Sequence, residues 1–552
     1  VEHVELAMDT LDVNAAIDRL QTELLIRVAG QQVRAEQLLT HSTSALREYV
    51  DGAVARREQR YLDAVRHFGK AMDLDSTFAL AALAYREASI WLPDGTPHRL
   101  ALERADSLVR WFPDRLSDPD RAVSDAIFYT HRLDQNGRET LQGLRRATLV
   151  APDRPLAWML LGDFLLHDGR MLGLPDHLAL ATAAFDSVRA LGDPIPEAER
   201  HLIEIRFAER DTAFARSFLA SHPRDPDNFS HLWWVAASLV GDSSALAKFG
   251  RTLDREPPST WRWMVLWSQR AEAGFAQADR ATALLAASGG LDRIVGRDNG
   301  YTVGLYGLNR GRPEQLLTRP AVRLGDPGIQ IPEAVWRLEV ALATPRGWVN
   351  RDSAAAIVAA EFDGYDGDAR LVASCDFGLW HAGRGEAGEA SRLADTMAEW
   401  QDHPDVRIRS FAVACPEVIR AGLDSRENLA GLRQVADYLG NEPAGVLRHD
   451  ITRWNLYVAD LLAARGAPAL ALPLTTRLGF VVEGSAWLTP ALLREAELSL
   501  VVGDTARAAL AYQRAARFLS DPEPALQSEA ERVRRAAQIL DKATRRSTAP
   551  SN

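Results

Sequence analysis

The sequence predicts an all-α fold, a right-handed superhelical solenoid of stacked helical hairpins, and three observations predict it. Apolar residues recur at three- and four-residue spacings almost throughout a chain rich in Ala, Leu, Arg and Glu. Strand-type alternation is scarce. One frame of small and aromatic residues returns several times along the chain. A single hairpin cannot bury its apolar face, so neighbours must stack on both sides and the core extends from unit to unit.

The elements follow in order. Residues 1–42 form an N-terminal helical segment, with Ala16, Leu20, Leu24 and Leu25 on one stripe and a polar break at Gly30–Gln32. Thr43 or Ser44 then caps the next helix. Residues 43–306 form a first arm of hairpins. Its first repeat, Ser44–Phe78, carries Gly52, Tyr61, Ala64, Phe68 and Ala71. Gly52 lets two helices approach, Tyr61 opens the second helix, Ala64 sits where the helices cross, and Phe68 fills the gap toward the following unit. Another copy begins at Pro155, where Trp158, Leu161 and Gly162 precede Ala181, Phe185 and Val188. Extra residues around Met171–Asp176 lengthen its turn. Degenerate hairpins follow around Trp233–Trp263. Residues 307–345 are a Gly- and Pro-rich connection that breaks any long helix.

A second arm spans residues 346–544. It contains a copy at Leu371–Trp400 with Gly378, Gly385, Ala390, Ala394 and Met397, a degenerate copy at Trp454–Phe480, and a copy with Ala496, Gly503, Ala508, Tyr512 and Ala515. Residues 545–552 read as a disordered tail.

Charge and composition bound the function. A net charge of -11 argues against nucleic acid or an anionic membrane as the main partner of this segment, since both require a basic footprint. No apolar run is long enough to span a membrane. The chain is expected to be soluble, in the cytoplasm, or in the periplasm if an anchor or signal precedes Val1. Cys375 and Cys415 stand forty residues apart in apolar helical context and read as two small buried core residues, with no disulfide framework and no metal-type pair.

The spacing of Gly52, Tyr61, Ala64, Phe68 and Ala71 resembles the tetratricopeptide (TPR) repeat family, with Glu48 where the family has Trp and Asp75-Ser76 where it has Pro. Trp158, Leu161 and Gly162 reproduce its W-x2-L-G element. From Leu11 to Trp91 the chain is also similar to C-terminal TPR regions of bacterial multidomain signalling proteins, in which such arrays follow a serine/threonine kinase, cyclase or winged-helix domain. The resemblance implies a protein-interaction scaffold or sensor module that binds a peptide or protein in a concave groove.

Chemistry-bearing patterns are few. Gly383–Gly388 fits GxGxxG but follows a helix and reads as a hairpin turn, because a nucleotide loop needs a preceding strand. Thirteen His are scattered without paired metal spacing, His222 with His231 and the lone His98 being the nearest to clusters. No catalytic residue, cofactor or metal ligand is expected. The competing reading is a hydrolase with its site inside the helical superhelix. Partner contacts are expected from Arg56 and Arg60, one helical turn apart and able to clamp a carboxylate, and from Trp233 and Trp234. The two tryptophans lie about 100° apart on a helix, so one of them is placed for a ligand.

The register makes a prediction. Ala64→Trp and Ala508→Trp each overpack a helix crossing and lower stability on the order of 1–3 kcal/mol; unchanged melting temperatures in both variants would contradict it.

Overall fold

In a computed structural model the protein is described at residues 42–548, except 91, 93–98, 132–136, 193–194, 223–229, 288–290, 293–296, 314–322, 325–328, 426–428, 442–447 and 479–486. The expected helical segment 1–42 therefore lies outside the described residues apart from Ser42, as do His98 and residues 549–552.

The fold is all-α, built from helical hairpins stacked in chain order. The helices are α1 (Thr43–Arg57), α2 (Tyr61–Leu74), α3 (Ala79–Ser89), α4 (Arg99–Trp111), α5 (Asp118–His131), α6 (Gly137–Val150), α7 (Pro155–Asp168) and α8 (His177–Ala190). Next come α9 (Pro196–Ala208), α10 (Thr212–Ser221), α11 (Ser230–Val240), α12 (Ser243–Thr252), α13 (Pro258–Ala271), α14 (Phe275–Ala287), α15 (Asn299–Asn309), α16 (Glu333–Ala343) and α17 (Arg351–Glu361). The last are α18 (Gly367–Arg384), α19 (Ala387–Thr396), α20 (Val406–Ala421), α21 (Ala430–Leu439), α22 (Arg448–Ala464), α23 (Pro468–Ala471), α24 (Leu488–Val501), α25 (Thr505–Phe518) and α26 (Gln527–Thr548). The only strands among the described residues are two-residue ladders that pair Leu291–Asp292 with Arg297–Asp298 and Arg323–Leu324 with Ile329–Gln330. Two compact units divide the chain, unit 1 comprising residues 1–132, 139–164 and 181–200, and unit 2 comprising 133–138, 165–180 and 201–552.

Unit 1 shows how the small–aromatic frame works. A side chain at Gly52 would meet the Phe68 ring at 2.7 Å, and one at Gly162 would meet the Phe185 ring at 2.6 Å. Each glycine is the floor on which the aromatic of the second helix lies, and Ala64, Ala71 and Ala181 are fully buried around it. Phe68 packs back onto Gly52 and Tyr49 of its own hairpin, with ring centroids 5.6 Å apart, rather than only onward to the next. The helix cap is Ser42, whose hydroxyl accepts from the Ala45 N–H at 3.2 Å, one residue earlier than expected.

In unit 2 the hairpin turns share one chemistry. Arg210, Gly241 and Gly503 adopt left-handed φ of 60°, 71° and 86°, ending one helix. The next residue, Asp211, Asp242 or Asp504, donates its N–H back to the carbonyl of Arg206, Ala237 or Ser499 at 2.8–3.0 Å. Its carboxylate then caps the following helix by accepting from Phe214, Ala245 or Arg507 N–H at 2.9–3.0 Å. The turn thus satisfies orphan carbonyls and orphan amides together. After Gly466 the second helix is cut short: α23 has four residues and Leu472–Thr476 continues as a 3-10 turn, because Pro473 offers no N–H to an α-helical ladder.

Two findings depart from expectation. Cys375 of α18 and Cys415 of α20 are disulfide-bonded, with Cα atoms 5.9 Å apart and both residues fully buried; they join adjacent hairpins instead of serving as free core residues. The terminal hairpin, moreover, touches more than its chain neighbours. Asn309, wholly buried, accepts the Thr489 N–H at 3.0 Å and donates to Gln269 at 2.6 Å, while its carbonyl accepts the Thr489 hydroxyl at 2.8 Å. Arg310 donates to the Phe518 carbonyl at 2.5 Å and to Ser520 at 2.9 Å, and Glu272 binds Arg514 at 2.5 Å and also Arg517. Residues 307–312, read as the start of a connection, are therefore where α24 and α25 dock.

Gly52→Ala forces the Phe68 ring aside and lowers stability by about 1–3 kcal/mol. Gly250→Ala, in α12 with nothing within 4 Å of its added carbon, raises it by up to about 1 kcal/mol. Thermal melts of both variants should move in opposite directions.

Candidate functional site

In unit 1, α4 stops at Trp111 and Pro113 opens a one-turn 3-10 helix, Pro113–Arg115, before α5 begins. The gap left between α3, α4 and α5 is a hollow of about 230 Å³, walled by Leu83, Val109, Pro113, Leu116, Ile127 and Phe128. Phe128 is 40% exposed there. Arg86, 8% exposed, pairs with Asp106 on the wall; burial pulls its guanidinium below the ordinary value while Asp106 opposes the shift. On α4, Trp111 is 71% exposed. Neither aromatic stood out in the sequence, because exposure is decided by the helix end at Pro113, a break that composition alone does not place.

The four predicted contact residues fall differently. Trp234 is wholly buried and packs against Gly274, where an added carbon would run into its ring, so it belongs to the core of unit 2. Its neighbour Trp233 is half-buried on α11 and keeps open surface. Arg56 and Arg60 do not share a helical turn. α1 ends at Arg57, Gln59 takes a left-handed φ of 60°, and Arg60 caps α2. Arg56 lies 3.8 Å from Glu87, whereas Arg60 binds Glu58 and Asp63 at 2.5 and 2.7 Å. The expected spacing of one helical turn between the two arginines is therefore not kept. His222 and His231 also separate, stacking on Phe218 and Trp263. Gly385, within the GxGxxG stretch, is the left-handed turn between α18 and α19 with φ of 77°. Glu48, Asp51 and His67 bring ligand atoms within 4.8 Å of one another, but Glu48 already holds His67 at 2.7 Å and has Lys70 at 3.7 Å in the place of a cation.

A buried cluster of charge lies in unit 2. Arg453 of α22 binds Asp376 of α18 and Asp450 at 2.9 Å, and approaches Glu339 of α16 at 3.7 Å. All four side chains are at most 8% exposed. One guanidinium cannot neutralise three carboxylates in so dry a space. Burial therefore raises the Asp376 carboxyl to about 7, with Arg453 opposing and Glu339 and Asp450 adding to the rise. No signal in the local sequence pairs α16, α18 and α22, whose members stand up to more than a hundred residues apart.

No protein-family model matches the chain. No curated protein matches it either. Among solved structures it is similar to the P58(IPK) TPR domain, at 11% identity over 91% of this chain and 99% of that one, with a TM-score of 0.18. It is also similar to Naa15/Naa10 bound to HypK-THB, at 12% identity over 97% of this chain and 98% of that one, again with a TM-score of 0.18. No helix among the described residues is long and apolar enough to cross a membrane.

The Asp376 cluster predicts an unusual pH slope. Between the ordinary carboxyl value near 3.8 and about 7, folded Asp376 keeps a proton that the unfolded chain has lost. The folded state then binds more protons, so this group's contribution to stability is full at low pH and is lost as pH rises through about 7. Asp376→Asn, which imitates the protonated form, should flatten the fall of melting temperature between pH 5 and 8 relative to the parent protein; parallel curves would contradict the assignment.

Proposed function

We propose that the chain is a non-catalytic protein-interaction scaffold that binds a polypeptide partner, with the hollow of unit 1 receiving one large apolar side chain from it. The observation that carries this reading is the combination of apolar walls, a volume of about 230 Å³ and an exposed Phe128. A fitted apolar anchor in a preformed pocket is how such surfaces concentrate binding energy, because neither side need order itself first. Arg110, Arg121 and Asp125 rim the hollow and give the partner's flanking polar groups somewhere to pair. Arg60, in the same unit and with open surface, is a secondary contact, and Trp233 is a separate candidate contact in unit 2.

The hydrolase reading has less support. His67–Glu48, His201–Glu204 and His381–Glu386 pair at 2.6–2.7 Å, as a general base and its orienting acid would, yet none of them lines the hollow. The likeness of residues 11–91 to signalling proteins extends the proposal to the sensory arm of a bacterial regulator. The disulfide favours an oxidising compartment over the cytoplasm.

A photo-crosslinking residue at position 128 tests the reading in extract of the source organism. A polypeptide adduct is expected, and it should vanish when Val109→Trp fills the hollow. Adducts unaffected by that substitution, or none, would contradict the proposal.

A further inference from the structure

Unit 2 gathers cations in one place, against the acidity of the chain as a whole. Arg170 stands in the turn after α7 and makes a single hydrogen bond, from Nε to the Thr476 carbonyl at 2.8 Å. That bond fixes the guanidinium plane and leaves both terminal amino groups without a protein acceptor among the described residues. Within Coulombic range of it stand Arg507 and Arg514 of α25, Arg270 near the end of α13, and His177 at the start of α8.

The carboxylates nearby are already engaged. Glu495 holds Arg507 at 2.8 Å, Glu272 holds Arg514 at 2.5 Å and Arg517 as well, and Glu204 holds His201 at 2.7 Å. Five guanidinium groups thus stand among these three carboxylates, with Asp176 beside His177. Arg170 and Arg270 are each half-buried.

The titration behaviour agrees in sign at three groups. Burial first, and then the neighbouring Arg514, pull Arg170 down to about 10. Burial together with Arg170 and Arg514 pulls Arg270 well below its ordinary value, and burial with both arginines pulls His177 to about 4. The space resists a further positive charge, and an anion would relieve it.

We propose that Arg170, with Arg270, Arg507 and Arg514 around it, forms an oxyanion-binding site in unit 2 that takes a carboxylate or phosphate group on the free fork of Arg170. Planar donors in a fixed fork match the oxygens of either group, which a lysine cluster would meet only as point charges. The site is independent of the unit 1 hollow.

The test is a thermal-shift titration of the full chain with inorganic phosphate and with citrate, each against chloride at matched ionic strength. One or both oxyanions should raise the melting temperature above the chloride control, and the better of the two identifies the source of the group. Arg170→Gln should weaken the apparent affinity at least tenfold, with Arg170→Lys in between. If Arg170→Gln does not fold, Arg270→Gln gives the same readout. A response no larger than that to chloride, or one of equal size in the parent and the glutamine variants, would overturn the proposal.

Discussion

Unit 2 depends on a contact between segments about two hundred residues apart. Buried Asn309 spends its side chain on Thr489 and Gln269 and its carbonyl on the Thr489 hydroxyl. Arg310, 2% exposed, is answered by the Phe518 carbonyl, the Ser520 hydroxyl, Asp279 at 3.6 Å and the Phe275 ring 4.5 Å away. A buried guanidinium is tolerable only when so surrounded, since each charged hydrogen bond contributes about 1.5–3 kcal/mol and each lost one leaves a stranded donor. Gly311 completes the join. It takes φ of 73° and leaves room for Leu519, which an added carbon would meet at 2.8 Å. Ordinary hairpin arrays gain stability repeat by repeat from nearest neighbours. Here α24 and α25 are tied to α13, α14 and α15 as well, so the terminal hairpin and the middle of unit 2 should stand or fall together.

Around that join the same local rules recur. A glycine floor under a large side chain sets hairpin packing in unit 1, and in unit 2 Gly378 lies under Ile419, which an added carbon would meet at 2.5 Å. The disulfide ties the same pair of helices, α18 and α20. Close by, the Arg453 cluster links α16, α18 and α22 by charge rather than apolar contact. Such a buried network contributes less to net stability than its short distances suggest, but it makes the packing of those three helices depend on proton number.

What the sequence made legible was local. Gly52, Ala64 and Phe68 lie within one hairpin, and their spacing is a direct consequence of 3.6 residues per turn. The burial of Ala496, Ala508 and Ala515 follows from the same frame. Arg56 and Arg60 do not lie on one helix because α1 ends at Arg57 and Gln59 turns the chain with a left-handed φ, a position glycine usually announces. Trp233 and Trp234 were separable only in principle; which face met the core was fixed by α13 and the Gly274 turn. The disulfide, the Asn309 join, the carboxylate cluster and the arginine site all bring together residues from distant segments. No periodicity carries that information. The hollow of unit 1 was hidden for a related reason, since it is made by where α4 stops rather than by what any residue is.

Native-state hydrogen exchange, resolved by segment, tests the central claim that the terminal hairpin closes unit 2. Amides of α24 and α25 should exchange through the same opening as those of α13 and α15, with matched free energies that drop together in Asn309→Ala. Exchange of α24 and α25 that is faster than that of α13 and α15, and indifferent to Asn309→Ala, would mean an open array in which the long-range contact holds nothing together.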